Sequence, residues 1–383
     1  MILFQIIITL LISLFMLNLM LNLASLKTPR QGARLPQPPP LVSVIIPARD
    51  EEDNIGQCLA SLQKQDYPNF EIIVLDDNSS DDTPVIISRL AAGDSRIRLL
   101  HGQTLSEGWA GKPFACFQAA QQARGRWLLF VDADTRHEPD MLSRVIPLAV
   151  ESNAAMLSGF PRQITTSLSQ KIAIPMMYFI LMIWAPFWWL HRSKRLPPSV
   201  AYGAFLLFSA DAYWKIGGHE AVKARILEDV FLGVEISRSG GRHLAVDLSP
   251  VVACHMYTNR RALWEGFAKW MYSVSAVSTA GLILLISLGY VTLLAPFYRA
   301  WQAAFVIPAP PAWAMLAFLQ VGMIYLMRHI VDARFRESPI STILYPLGMM
   351  FLMMVVLYGM ARQVAGAGVS WKKRVYNRAS GVD

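Results

Sequence analysis

Charge is scarce in this chain. Asp, Glu, Lys and Arg make up 16% of the 383 residues against 54% hydrophobic ones, too lean for an ordinary soluble protein of this length. The scarcity is also uneven. No charged residue occurs from Met1 to Leu26, from Trp270 to Tyr298, from Ala300 to Met327 or from Ser338 to Ala361. Each run exceeds the roughly 20 apolar residues that cross a hydrocarbon core, so four spans are expected. Cysteine is rarer still. Cys58, Cys116 and Cys254 form no pair motif and no metal-ligand spacing, which excludes a disulfide framework and fits a reducing compartment. No G-x-G-x-x-G follows a first strand, which counts against a dinucleotide oxidoreductase. Internal repeats and low-complexity tracts are also missing.

What remains is a water-facing middle, Lys27 to Lys269, that carries most of the acidic residues. The net charge of +8 does not point to nucleic acid, because basic residues sit beside the apolar runs: Lys27, Arg30 and Arg34; Arg328, Arg334 and Arg336; Lys372, Lys373, Arg374 and Arg378. That placement favours a membrane surface. The first run lacks a basic n-region and a small-x-small cleavage site, so it reads as an anchor over 1–26 with its C-terminal side in the cytoplasm. A Pro-rich linker (27–41) leads to a domain over 42–260. An amphipathic interfacial helix (261–271), three transmembrane helices (272–361) and a basic tail (362–383) complete the expected organisation. Within the domain, 172–190 is uncharged, aromatic-rich and broken by Pro175 and Pro186; it reads either as an interfacial helix carrying Trp184, Trp188 and Trp189 or as a buried core helix. Four spans place the tail outside, against the positive-inside tendency; the tail is nevertheless expected at the cytoplasmic face.

Val42–Ile46, Glu71–Leu75, Ile97–Leu100 and Trp127–Val131 read as strands. Helical patterns start near Asp50 and cover Thr83–Leu90, Pro113–Ala123 and Pro139–Val150. Strands alternating with helices imply a mostly parallel sheet, whose ligands bind at the strands' carboxyl ends. Asp76, Asp77, Asp132 and Asp134 all fall at such ends. Asp132-Ala133-Asp134 can hold a hard cation together with substrate phosphates, although a D-x-D also occurs in solvated turns. Asp76-Asp77 opens a run whose Ser80, Asp81 and Asp82 suit helix capping. Lys112 sits before a helix N-terminus, a place for an anion, but a lone loop lysine more often faces solvent. Glu228-Asp229 starts an apolar helix; it serves either as a helix-dipole partner or as a general base on a rigid element.

Val42-Ser43-Val44-Ile45-Ile46-Pro47-Ala48-Arg49-Asp50-Glu51-Glu52, the run Asp76–Thr83, Asp132-Ala133-Asp134 and Glu228-Asp229, in that order, resemble the family 2 glycosyltransferases from about Val42 to Trp270. The resemblance implies an α/β fold: a Rossmann-like GT-A nucleotide-sugar-binding domain, here plus transmembrane helices. It implies that Pro47, Glu51 and Asp77 hold the nucleoside, with Lys112 joining the donor site. Asp132 and Asp134 would serve ribose, diphosphate and a metal (Mn2+ or Mg2+, at Asp134). Asp229 would deprotonate the acceptor in one inverting displacement. The N-terminal anchor, Gly111-Lys112, Gly217-Gly218-His219-Glu220 and Trp371–Tyr376 look similar to glycosyltransferases of lipid acceptors, including carotenoid- and hopanoid-associated enzymes and ceramide glucosyltransferase. The implied reaction moves a sugar from a nucleotide-sugar, a UDP-sugar by expectation, to a hydroxyl or carboxyl of a membrane lipid such as a carotenoid or other isoprenoid. It would take place at the cytoplasmic face of the cell membrane, without nucleic acid.

The processive synthases of this family carry Gln-x-x-Arg-Trp. Here the best match is Gly266-Phe267-Ala268-Lys269-Trp270, and a lysine is a point charge where arginine is a bidentate fork. That counts against polymer synthesis. Glu228, His219, Lys269 and Trp270 are the remaining acceptor-side residues. A lone histidine is more often a core residue than a ligand, and that reading stands for His255; the Gly-Gly-His-Glu loop brings His219 toward the acceptor. Trp264, Phe267 and Trp270 fit an amphipathic helix on the membrane. A nucleotidyltransferase needs a Gly-rich basic loop where this chain has acidic residues. A transporter or scaffold is disfavoured because the last three apolar runs lack internal charge.

Overall fold

The computed structural model describes residues 2–190, 201–225, 227–275, 279–306, 310–365, 369–371 and 374–376. The chain divides into two compact units: one of residues 26–164 and 189–256, the other of residues 1–25, 165–188 and 257–383.

In chain order the structure begins with helix α1 (Ile2–Ser25), followed by β1 (Val42–Ala48), α2 (Ile55–Gln63), β2 (Phe70–Asp76), α3 (Thr83–Gly93) and β3 (Ile97–His101). Next come α4 (Gly111–Gln121), β4 (Trp127–Val131), β5 (Thr135–His137), α5 (Met141–Glu151), β6 (Met156–Phe160) and β7 (Arg162–Gln163). Then follow α6 (Leu168–Trp184), α7 (Phe187–Leu190), β8 (Phe205–Ser209), α8 (Ala210–Lys215), a 3-10 turn (Gly218–Val222), α9 (Glu228–Arg238), β9 (His243–Asp247) and β10 (Val252–Cys254). The last part holds α10 (Arg260–Ser275), α11 (Thr279–Gly289), a π-helical turn (Tyr290–Leu294), α12 (Ala295–Phe305), α13 (Pro311–Phe335), α14 (Pro339–Ile343), α15 (Tyr345–Val364), β11 (Val369–Trp371) and β12 (Arg374–Tyr376).

The α/β unit is built on a seven-stranded sheet of order β3-β2-β1-β4-β8-β6-β9. β1 pairs in parallel with β2 and β4, and β2 with β3, whereas β8 runs antiparallel to both β4 and β6. Every residue of β2 and β4 is buried. This is why β4 is apolar throughout and β2 is apolar from Ile72 to Leu75: helices cover both faces of a parallel sheet. Side chains alternate between faces, so Val42, Val44 and Ile46 enter one core while Ile45 enters the other with Leu128, Phe130 and Phe208. A small second sheet, β5-β10-β7, lies beyond β4.

The helical unit contains three helices long and apolar enough to cross a membrane by length and composition: α1, α13 and residues 345–362 of α15. The sequence expectation was four. The apolar run from Trp270 to Tyr298 is divided among α10, α11, the π-helical turn and α12, so among the described residues it forms no single long helix. Of the segment expected at 172–190 within the α/β domain, residues 172–188 fall in the helical unit. There α6 starts from a Ser167/Gln170 capping box. Its last carbonyls are met by two asparagines of α1: Asn22 Nδ2 donates to Met182 O and Ala185 O at 2.7 Å, and Asn18 Nδ2 to Ile183 O at 3.0 Å. Trp184 packs on Phe15, and Trp188 Nε1 donates to Asn18. Two of the three tryptophans assigned to a lipid headgroup layer are thus engaged inside this unit; Trp189 is exposed. Likewise Trp264 and Phe267 of α10 pack on Phe351 and Tyr358 of α15. Lys372, Lys373 and Arg378, on which the expected position of the tail rests, lie outside the described residues, whereas Arg374 falls in β12.

Candidate functional site

The parallel register of β1, β2 and β4 brings their carboxyl ends to one edge, pairing Ala48 with Asp76 and Ile45 with Phe130. Asp77 N–H donates to Ala48 O at 2.8 Å, which sets the β2 exit against the end of β1 beside Pro47. Asp77 is buried, and Arg49 reaches it twice: Nη1 donates to its carbonyl at 2.8 Å and lies 3.6 Å from Oδ2. Glu51 is fixed from both ends. Its N–H donates to Thr83 Oγ1 and its Oε2 accepts from Asn54 Nδ2 at 3.1 Å. The neighbouring acidic residues mostly staple the turns. Asp76 accepts from Ser79 N–H, Asp50 from Ser80 N–H, and Asp81 from the N–H groups of Glu52 and Thr83. Asp81 therefore caps α3, as its position suggested, whereas Asp82 makes no side-chain cap bond. Asp50 and Asn78 hold left-handed backbone, with φ of 49° and 56°, which short polar side chains tolerate best.

A second group gathers around β4 and the antiparallel β8. Asp132 N–H donates to Ala204 O at 3.4 Å, so the residues before β8 return to the edge that β4 leaves. Lys112, in the first turn of α4, places Nζ 2.6 Å from Asp132 Oδ1 and 3.4 Å from Glu228 Oε1. Burial works against its charge, but the carboxylates of Asp132 and Glu228 outweigh that and hold the ammonium well above the ordinary lysine range. Asp229, next to Glu228 at the start of α9, is half-buried; its carboxylate accepts from the N–H groups of Val230 and Gly203. Burial first, and the Glu228 charge second, push its carboxyl up to about 7 against the opposing pull of Lys112.

Asp134 faces the small sheet. Its carbonyl accepts from His255 N–H at 2.9 Å and its Oδ1 lies 3.5 Å from Cys254 Sγ. Among the described residues no three His, Cys, Asp or Glu side chains converge as a protein-only metal cage. Carboxylate oxygens at Asp134, with Asp132 nearby in sequence, fit instead a hard cation that takes the rest of its ligands from substrate phosphates.

The edge therefore assembles Pro47, Glu51, Asp77, Lys112, Asp132, Asp134, Glu228 and Asp229 from distant parts of the chain. His219 has a different place. It is 1% exposed, its Nδ1 is 2.8 Å from Tyr213 Oη, and its ring packs on Phe130. The imidazole is thus part of the core beneath the Gly-Gly turn and is not presented to a ligand. Lys269 and Trp270 lie on α10 of the helical unit, both half-buried. At Gly266, where processive relatives would have glutamine, an added Cβ would run into the Tyr257 ring; that position is filled.

Two residues that sequence reading passed over belong to the edge. A Cβ on Gly203 would stand 3.2 Å from Asp229 Oδ2 and 3.3 Å from Lys112 Nζ, so only glycine leaves these two groups their present approach. Arg49 lies inside the first motif, yet its contact with Asp77 depends on the β1–β2 register. The only signals in the sequence were a glycine just ahead of an apolar run and a basic residue within an acidic stretch.

Residues 43–217 match the family model described as Glycosyl transferase family 2. The 4,4'-diaponeurosporenoate glycosyltransferase of Staphylococcus aureus is 27% identical over 238 residues, 60% of this chain and 60% of that protein. The chain thus matches about three-fifths of the length of this relative. The beta-monoglucosyldiacylglycerol synthase of Trichormus variabilis is 35% identical over 111 residues, 28% of this chain and 23% of that one. Among solved structures, a mannosyltransferase from Pyrobaculum calidifontis, in complex with GDP-mannose and Mn2+, superposes with a TM-score of 0.52 at 18% identity. The match covers 93% of this chain and 98% of that one, a likeness of fold.

Proposed function

We propose that this enzyme, whose residues 43–217 match the family model described as Glycosyl transferase family 2, transfers a sugar from a nucleotide-sugar, UDP-linked, to a hydroxyl or carboxyl of a membrane lipid, with inversion at the anomeric carbon. The observation that carries the reading is the convergence of Asp77, Lys112, Asp132, Asp134 and Asp229 on one edge of one sheet. Pro47, Glu51 and Asp77 receive the nucleoside, with Arg49 holding Asp77 in place. Lys112 and Asp132 face the diphosphate and ribose.

Asp134 would hold Mn2+ or Mg2+ together with the substrate phosphates, and a cation bound there would supply positive charge at the diphosphate. In the transfer, the acceptor oxygen bonds to the anomeric carbon as the carbon–oxygen bond to the diphosphate breaks. The diphosphate leaves with the electron pair, and the acceptor proton passes to Asp229. A carboxylate whose proton affinity is lifted toward neutrality is a better base than an ordinary one.

A lipid acceptor is supported by the three membrane-length helices and by the lipid substrates named for the two relatives, with a carotenoid or other isoprenoid preferred. Lys27, Arg30 and Arg34 after α1 favour a cytoplasmic α/β unit at the cell membrane. The filled glutamine position at Gly266 speaks against a processive polysaccharide synthase.

The test is to incubate membranes containing the protein with a panel of radiolabelled nucleotide-sugars, with and without chelator, and to extract lipid. Label in the lipid phase, lost with chelator and restored by Mn2+ or Mg2+, is expected. Label in an insoluble polymer would favour the processive reading, and no label from any donor would end the proposal.

A further inference from the structure

Lys112 stands between the two halves of the edge. Its ammonium touches Asp132 after β4 and Glu228 on α9, and donates to Gly203 O at 3.4 Å. The Gly203 Cα carries no side chain, and the space a Cβ would take is bordered by Lys112 Nζ on one side and the Asp229 carboxylate on the other. One cation thus serves three carboxylates on two elements. Two of them, Glu228 and Asp229, are neighbours in the first turn of α9, where the Glu228 charge opposes ionisation of Asp229. Of the other titratable groups here, burial holds three uncharged near pH 7, whereas the Asp77 carboxylate is close enough to act on the same Cys116. Burial pushes the Cys116 thiol of α4 and the Tyr213 hydroxyl of α8 up, and takes the His219 imidazole of the 3-10 turn down to about 3. The other contacts of Asp229 are the backbone N–H groups of Gly203 and Val230. Lys112 is therefore a cation that Asp132, Glu228 and Asp229 share.

We propose that Lys112, beyond facing the diphosphate, is a positioning residue for the acceptor base: it offsets the Glu228 charge beside Asp229, favours the carboxylate form of Asp229, and links that end of α9 to the donor-side carboxylate Asp132. The same contact explains why an acidic pair is tolerated where a single carboxylate would serve as base. Glu228 grips the lysine, and Asp229 is left facing the acceptor. The assignment rests on reading Asp229 as the base.

The experiment is the pH dependence of kcat/KM for the nucleotide-sugar, which reports groups of the free enzyme, in the full-length protein and in K112M, K112R, E228Q and D229N. Loss of an opposite charge at this range moves a carboxylate by about 1–3 in pH. K112M should therefore raise the acid limb by about that much, K112R should restore it, and E228Q should lower it. A diphosphate ligand alone would lower the rate at every pH and leave the limb in place; that outcome for K112M and E228Q overturns the proposal. If K112M does not fold, E228Q decides by itself, and an unmoved limb in E228Q is equally fatal. A limb that survives in D229N shows that Asp229 is not the base, a failure of the mechanism distinct from a Lys112 that is silent while the D229N limb is gone.

Discussion

The two units of this protein each hold a charged cluster, and the clusters are built on opposite terms. In the helical unit, Arg328 and Asp332 of α13 form a pair at 2.6 Å with side chains 0% and 3% exposed. Arg328 Nη1 also donates to Pro175 O at 2.8 Å, and Asp332 Oδ2 accepts from Ser341 and Thr342 hydroxyls at 2.6 Å. One cation meets one anion, and hydroxyls and a carbonyl take up further contacts. In the α/β unit, one lysine pairs with two carboxylates, Asp132 and Glu228, beside a third, Asp229, with 35% of its own side chain and 31% of Asp132's exposed. A buried charge pair persists only when both partners stay together, so the first cluster fastens α13 to α14 and α6. The second has more negative charge than its cation can neutralise. That surplus is what the proposed metal-binding, acceptor-deprotonating role requires.

Breaking the surplus should abolish chemistry and spare the fold. D229N is expected to lower sugar transfer by roughly 10²–10⁴-fold. A carboxyl held near 7 binds its proton more tightly folded than unfolded, so its contribution to stability falls as pH rises from the ordinary carboxylate range through 7. The amide removes that loss, and thermal unfolding at pH 8 should occur no earlier in D229N than in the parent. In the parent, kcat/KM for the donor should fall about tenfold per pH unit below about 7; an acid limb near pH 4 would remove Asp229 from the role.

Breaking the saturated pair should do the reverse. R328M leaves Asp332 without its cation and should cost about 3–5 kcal/mol, read as earlier unfolding in detergent, with a smaller change in kcat measured below that transition. Pairing it with D332L should recover much of the loss. The smallest effect belongs to G266A. A methyl pressed into the Tyr257 ring should cost about 1–3 kcal/mol, and G266Q should not create polymer product; an insoluble polymer from G266Q would restore the processive alternative.

Much of this was legible along the chain. Residues 127–131 form the strand their unbroken apolar run predicts, and 42–46, 71–75 and 97–100 fall within strands only one or two residues longer, because hydrophobic period and length are local properties. The carboxylates at the strand ends were visible for the same reason, since a parallel sheet collects its strand termini on one edge. The apolar content announced membrane-length helices, yet it did not show that the run from Trp270 would divide into shorter helices or that α6 would leave the α/β unit. Those outcomes depend on which partners bury each apolar face, a matter of packing between elements far apart in the chain.

Along the chain one can read the element types, the carboxylates at the strand ends and the resemblance to a family, because periodicity and motif order are carried by neighbouring residues. Which side chains work together was settled by folding. It drew Lys112 between Asp132 and Glu228, enclosed His219 against Tyr213, filled the Gly266 space with Tyr257 and closed Arg328 onto Asp332. Charge and burial act through distances of a few ångströms, and those distances are set by the folded register, not by separation along the chain.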